Sequence, residues 1–133
     1  MNDLKTRFFD SVDKNCPHSE YPRPQLVRED WMCLNGECDY EITPAGEPCP
    51  KNFSGKIILP FAIESQLSGV QRVLQPDERL WYRKRFTLDS RFDGKRCILH
   101  FGAVDWQCKV FVLSLLHISE PPRLLSISYA VFC

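Results

Sequence analysis

The chain has 133 residues, room for one domain. Lys plus Arg equals Asp plus Glu at 17 each, so no bulk charge recruits nucleic acid or an anionic membrane surface. An apolar fraction of 44% excludes disorder as the dominant state, and no apolar run reaches the roughly 20 residues a membrane helix needs.

The opening residues, Met1 to Asp10, are polar and charged and lack the apolar core of a signal peptide, which makes the cytoplasm the expected compartment. Leu4, Phe8, Phe9 and Val12 sit at helical spacings and predict a helical turn or two within residues 1–20. Tyr21-Pro22-Arg23-Pro24 predicts an extended arm, because each proline fixes its own φ and pushes the preceding residue out of the helical region.

Asn35-Gly36 is a strong hairpin signal, so Trp31 to Leu34 is expected to enter a turn and Cys38 to Ile42 to leave it. Cys38, Tyr40 and Ile42 alternate with Asp39 and Glu41, giving one apolar and one polar face. Residues 44–54, with Pro44, Gly46, Pro48 and Pro50, read as a loop. Lys56 to Phe61 is a short apolar strand closed or placed at an edge by Pro60. Residues 64–78 read as a loop whose length suits a functional or wrapping segment.

Arg79 to Leu88 is the clearest strand. Leu80, Tyr82, Phe86 and Leu88 fall on one face and Trp81, Arg83, Arg85 and Thr87 on the other; Lys84 interrupts the apolar face without an evident reason. Asp93-Gly94 predicts a tight turn. Two more strands are expected, one with Cys97, Leu99, Phe101 and Ala103 on a face, the other with Trp106, Cys108, Val110 and Val112. Short strands about ten residues apart predict an all-β sandwich or barrel.

Seven cysteines without a secretion signal argue against a disulfide framework and for reduced, mostly buried thiols. Cys16, His18, Cys33, Cys38 and Cys49 are the alternative, a zinc site, but their spacings contain no paired C-x₂-C knuckle. Among carboxylates, Glu29, Asp30, Glu41, Glu64, Asp77, Glu78 and Asp105 form no pair across a pocket. Most read as solvated surface, and Asp105 as a turn or strand-end residue. His100 reads as a satisfied or exposed strand residue rather than a base or ligand. Trp81 and Trp106 have the flat faces that stack on sugars, yet core packing is the simpler use of both. Arg83, Lys84 and Arg85 read as a solvated face or an interface with a following domain.

Tyr21 to Trp31, Leu34-Asn35-Gly36-Glu37, Pro60 to Ser65, Trp81-Tyr82-Arg83 with Phe86, and Phe101 to Trp106 with Val110-Phe111-Val112 occur in an order that resembles family 2 glycoside hydrolases, the β-galactosidase and β-glucuronidase group. The resemblance covers residues 21–112, with residues 1–20 as a lead-in. It implies an incomplete galactose-binding-like jelly-roll β-sandwich, the family's sugar-binding domain, which serves carbohydrate metabolism by packing against an immunoglobulin-like domain and a (β/α)₈ barrel. The barrel holds the acid/base and nucleophile glutamates of a retaining O-glycosidase, about 5 Å apart, and contacts the carbohydrate substrate.

The fragment itself is therefore expected to be inactive, with no catalytic, substrate-binding or metal residue and no cofactor. No nucleic acid or membrane partner is expected, and a homo-oligomeric parent is compatible. Loop residues of such a domain reach the barrel's site, and Gln66 to Asp77 lies where such a contribution would arise, although no single residue matches. One departure is Cys38, where the family has tryptophan; losing a buried indole costs roughly 3–5 kcal/mol unless the site collapses. A stand-alone carbohydrate-binding module and a small Cys-rich zinc protein are the alternatives.

The second departure is the tail. Leu113-Ser114-Leu115-Leu116-His117-Ile118-Ser119-Glu120-Pro121-Pro122-Arg123, and then Ile127-Ser128-Tyr129-Ala130-Val131-Phe132-Cys133, closely resemble the translation of a transposon-type DNA sequencing adapter and its flow-cell primer region. Residues 113–133 are on that ground expected to be a non-native tail. The competing expectation is a pair of terminal strands in which Ile127, Tyr129 and Val131 alternate with Ser128, Ala130 and Phe132.

Overall fold

The computed structural model describes residues 5–104, 108–113 and 126–132, of which 112, 113 and 126–132 are described by their backbone. The fold is all-β, one five-stranded antiparallel sheet without a long helix: β1 is Gly36–Pro44, β2 Gly55–Leu59, β3 Glu78–Thr87, β4 Val110–Leu113 and β5 Ser126–Phe132. Their order across the sheet is β2-β1-β3-β5-β4.

The expected alternation holds on the three strands that carry the core. The register Cys38↔Ile57 and Ile42↔Leu80 brings apolar residues of β1, β2 and β3 onto one face. Cys38, Ile57, Ile63 and Leu80 are buried there, with Tyr40, Ile42, Leu59, Val70, Leu74 and Tyr82 packed around them. Ile63, Val70 and Leu74 come from the stretch after β2, so the long loop is a wrapping segment that covers the apolar face. It is held by its own polar groups. The Ser65 hydroxyl accepts from the Leu67 N–H at 3.2 Å, and Gly69 closes the turn at φ 83°. The buried Ser68 hydroxyl lies 2.7 Å from the Ser65 carbonyl and 3.1 Å from that of Ile63, and accepts from the Val70 N–H. Cys38 itself is 2% exposed, in one cluster with Ile57, Ile63 and Leu80.

Two expectations are corrected. Asn35-Gly36 makes no hairpin. Gly36 is the first residue of β1, and Trp31 to Leu34 form no strand. Gly36 does take a left-handed φ of 98°, but it does so to let another segment in: a Cβ there would stand 2.0 Å from the Asn15 carbonyl oxygen. Asn35 Nδ2 donates to the Pro17 carbonyl at 2.8 Å beside it, and Pro17 is fully buried. The lead-in thus packs against the start of β1, with a 3₁₀ turn at Phe9–Ser11 where helical spacing predicted one. The second correction concerns residues 96–104, which form no strand despite their alternation; Ile98 is 62% exposed. Asp93-Gly94 does turn the chain, after a short 3₁₀ turn at Ser90–Phe92. Of the next expected strand, Val110 and Val112 lie in β4, while Trp106 is outside the described residues.

The structure also accounts for Lys84. Its Nζ donates to the carbonyls of Glu37 at 2.7 Å and Asn35 at 3.3 Å, so a cation at the end of the apolar face satisfies the entrance of β1. Within the tail, β5 pairs with β3 from Trp81↔Phe132 to Thr87↔Ser126, and with β4 from Val110↔Val131 to Leu113↔Ser128. Ile127, Tyr129 and Val131 accordingly share a face in the backbone register.

Among the described residues, Trp81 is the large apolar residue buried on the opposite, polar face. It is 2% exposed, packs on Phe53, and its Nε1–H donates to Thr43 Oγ1 at 2.9 Å. Trp81→Ala is expected to destabilise the fold by about 3–5 kcal/mol, the usual cost of removing a buried indole. A urea melt followed by far-ultraviolet circular dichroism measures it.

Candidate functional site

The polar face carries a cluster of linked ion pairs. Alternation along β1, β2 and β3 sends Glu37, Asp39, Lys56, Arg83 and Arg85 to one side, where they line a shallow depression together with Cys38 and Lys84. Lys56 Nζ bridges Asp39 at 2.7 Å and Glu37 at 3.0 Å. Arg83 reaches Asp39 Oδ2 through Nη2 at 3.0 Å and Nε at 3.2 Å, and its guanidinium lies 4.2 Å over the centre of the Phe53 ring. The Lys56 hydrogen bond first, opposed by burial and joined by the Arg83 hydrogen bond, holds the Asp39 carboxyl below its ordinary range. Acid/base chemistry by two carboxylates on one face requires environments that push the two pKa values apart. Here both share one ammonium and Asp39 moves down, so the cluster is a salt-bridge network rather than a proton relay.

A second concavity lies between the lead-in and the wrapping loop. Thr6, Phe9, Glu64, Ser65, Gln66, Leu67 and Gln71 line it. Gln66, Leu67 and Gln71 belong to the loop expected to reach a neighbouring active site. The rest of that loop turns back on itself: Arg72 N–H donates to the Ile63 carbonyl, the Arg72 guanidinium pairs with Glu78, and Gln75 N–H donates to Glu78. Hydroxyl, amide and carboxylate groups beside one aromatic ring can hydrogen-bond a neutral polar ligand.

The remaining candidates are dispersed. Glu41 Oε2 accepts from the Ser54 hydroxyl at 2.7 Å and the Ser54 N–H at 2.9 Å, which lowers its pKa and ties the base of the loop between β1 and β2. Asp30 binds Lys95 Nζ at 2.5 Å, while Glu29 and His100 are exposed. The Asp77 carbonyl accepts from the Ala45 N–H. Asp105 and Trp106 lie outside the described residues. Trp81 is buried, which removes it as a stacking platform. The basic run divides its partners: Arg83 binds Asp39 on the polar face and Lys84 binds the carbonyls of Asn35 and Glu37, although both line the depression with Arg85.

The early cysteines divide as well. Cys16 and Cys33 come together, Cys38 is in the core, where burial pushes its thiol up to about 11, and Cys49 is exposed in the loop after β1. Among the described residues no set of three or more His, Cys, Asp or Glu side chains stands ready to hold a metal. The expectation of mostly buried thiols is corrected: of the six described cysteines only Cys38 is buried, because the others fall outside the core face of the sheet. The meeting of Cys16 with Cys33, and the seating of Lys84 on two carbonyls, escape sequence reasoning because both depend on the lead-in folding back over Gly36. No helix among the described residues is long and apolar enough to cross a membrane. Compared with known protein families and with curated proteins, the chain matches none.

Stability should follow the charge cluster at low pH. Asp39 has a depressed folded-state pKa, so its contribution is present above the unfolded value near 3.8 and is lost as pH falls through the folded one. Asp39→Asn is expected to lower the melting temperature at neutral pH and to flatten its fall below pH about 4, read by thermal melts across that range.

Proposed function

We propose that residues 21–112 are the leading part of the sugar-binding domain of a family 2 glycoside hydrolase, a jelly-roll sandwich whose remaining strands and catalytic barrel belong to the parent enzyme. The parent would hydrolyse O-glycosidic bonds with retention, and this fragment would lack both catalytic glutamates. The observation that carries the reading is the order of the motifs along the chain. Three of them occupy structural positions consistent with a β-domain: Leu34 to Glu37 lead into β1, Pro60 follows the last residue of β2, and Trp81-Tyr82-Arg83 lie within β3. The all-β content supports it.

The tail, residues 113–133, is proposed to derive from sequencing adapter. Its pairing with β3 does not bear on that origin. The tail is uncharged and β-prone from Leu124 onward, and such a segment adds to an open sheet edge wherever it comes from, since the edge offers a row of unpaired N–H and C=O groups.

Long-range amplification of the source DNA through the Val112 codon tests both parts. The reading frame is expected to continue into a hairpin, further strands and a barrel. A genome that encodes Leu113 to Cys133 and then a stop would overturn the adapter origin. The purified chain is expected to leave chromogenic β-galactosides and β-glucuronides intact, and turnover of either would overturn the assignment of catalysis to the barrel.

A stand-alone carbohydrate-binding module is the second reading, favoured by the polar cleft around Phe9, Glu64 and Gln71. Saturable one-site binding of a glycan by calorimetry would promote it.

A further inference from the structure

Two segments far apart in sequence run against each other at the entrance of β1. The Asn15 carbonyl sits where a side chain on Gly36 would be, Pro17 accepts from Asn35, and the His18 carbonyl accepts from the Cys33 thiol at 3.8 Å. These contacts lace residues 15–18 antiparallel to residues 33–36, which seats Cys16 and Cys33 on two neighbouring segments at the entrance of β1. Both thiols are reduced and half-buried, unlike Cys38 in the core and the exposed Cys49, Cys97 and Cys108.

We propose that Cys16 and Cys33 form a redox-active dithiol that takes up a disulfide from a low-molecular-weight disulfide such as oxidised glutathione. One thiolate attacks a glutathione sulfur, forming a mixed disulfide and expelling one glutathione thiolate. The second cysteine, deprotonated, attacks the protein sulfur of that mixed disulfide and expels the other. The protein loses two electrons and two protons; the oxidised glutathione gains them and leaves as two thiols. The product is a covalent staple between the lead-in and the start of β1, across contacts that exist without it.

The surroundings set the reactivity of the pair. Burial, followed by the neighbouring Cys33 thiol and then Asp13, raises the Cys16 thiol above its ordinary value, while the Lys84 ammonium acts in the opposite sense. Lys84 is fixed there by the carbonyls of Asn35 and Glu37, which places a cation where a thiolate would form.

The test incubates the full chain with oxidised glutathione, quenches with an alkylating agent and maps the tryptic peptides by mass spectrometry. Cleavage after Lys14, Arg28 and Lys51 puts Cys16 on peptide 15–28 and Cys33 on peptide 29–51, with Cys38 and Cys49 on the latter distinguished by fragmentation. The expected result is a predominant Cys16–Cys33 bond in native buffer, replaced in guanidinium by a mixture of linkages, with Cys49 and Cys97 carrying glutathione alone. In Cys16→Ser, Cys33 is expected to keep its glutathione, since nothing displaces it. Stable glutathione on both Cys16 and Cys33, a bond from either to another cysteine as the main product, or the same mixture with and without guanidinium would each overturn the proposal.

Discussion

Ile57 is sealed completely from water, and the apolar face of the sheet is built outward from it. It lies opposite Cys38 on β1, shares its cluster with Leu80 of β3, and is roofed by residues of the segment that follows its own strand. A short sheet has a face that water would otherwise wet, and burying apolar area there is the main gain available to it. Here the cover is the loop after β2. That choice explains why the loop is so heavily self-bonded: a segment lying on an apolar surface must satisfy its own backbone, and Ser65, Ser68 and Gly69 do this locally.

The opposite face is organised by charge. Arg83 joins its two kinds of contact, holding Asp39 with its fork and lying on Phe53 with its flat surface. Phe53 in turn covers Trp81, so the salt-bridge network and the second buried cluster are continuous. Much of this face is solvated, and the exposed partners, Lys56 and Glu37 above all, add little to stability individually. Their effect is to fix which side of the sheet faces water.

The parts of the fold legible in the sequence were those decided by local alternation and local turn chemistry. Tyr40 and Ile42 against Asp39 and Glu41, the short run before Pro60, and Leu80 and Tyr82 against Arg83 all took the faces their spacing required. What was not legible depended on contacts between distant segments. Gly36 does have the positive φ that Asn-Gly announces, but the reason is the approach of Asn15, more than twenty residues earlier, and no hairpin results. Cys97 to Ala103 carry strand alternation, yet alternation specifies a face and supplies no partner strand. Lys84 looked like a fault in the apolar face until the carbonyls of Asn35 and Glu37 were placed beside it. No catalytic or binding constellation was legible in the sequence, and among the described residues no set of His, Cys, Asp or Glu side chains gathers to hold a metal.

Tyr40 and Gly55 face each other across β1 and β2, and the tyrosine ring occupies the space where a side chain on the glycine would be, with a ring carbon 2.2 Å from that position. The glycine's α-protons therefore sit under an aromatic face, in its magnetic shielding. Proton spectra of the folded chain should show a glycine resonance displaced upfield, one that vanishes when β2 separates from β1. That single line would report on the hairpin alone, independently of whatever happens at the far edge of the sheet.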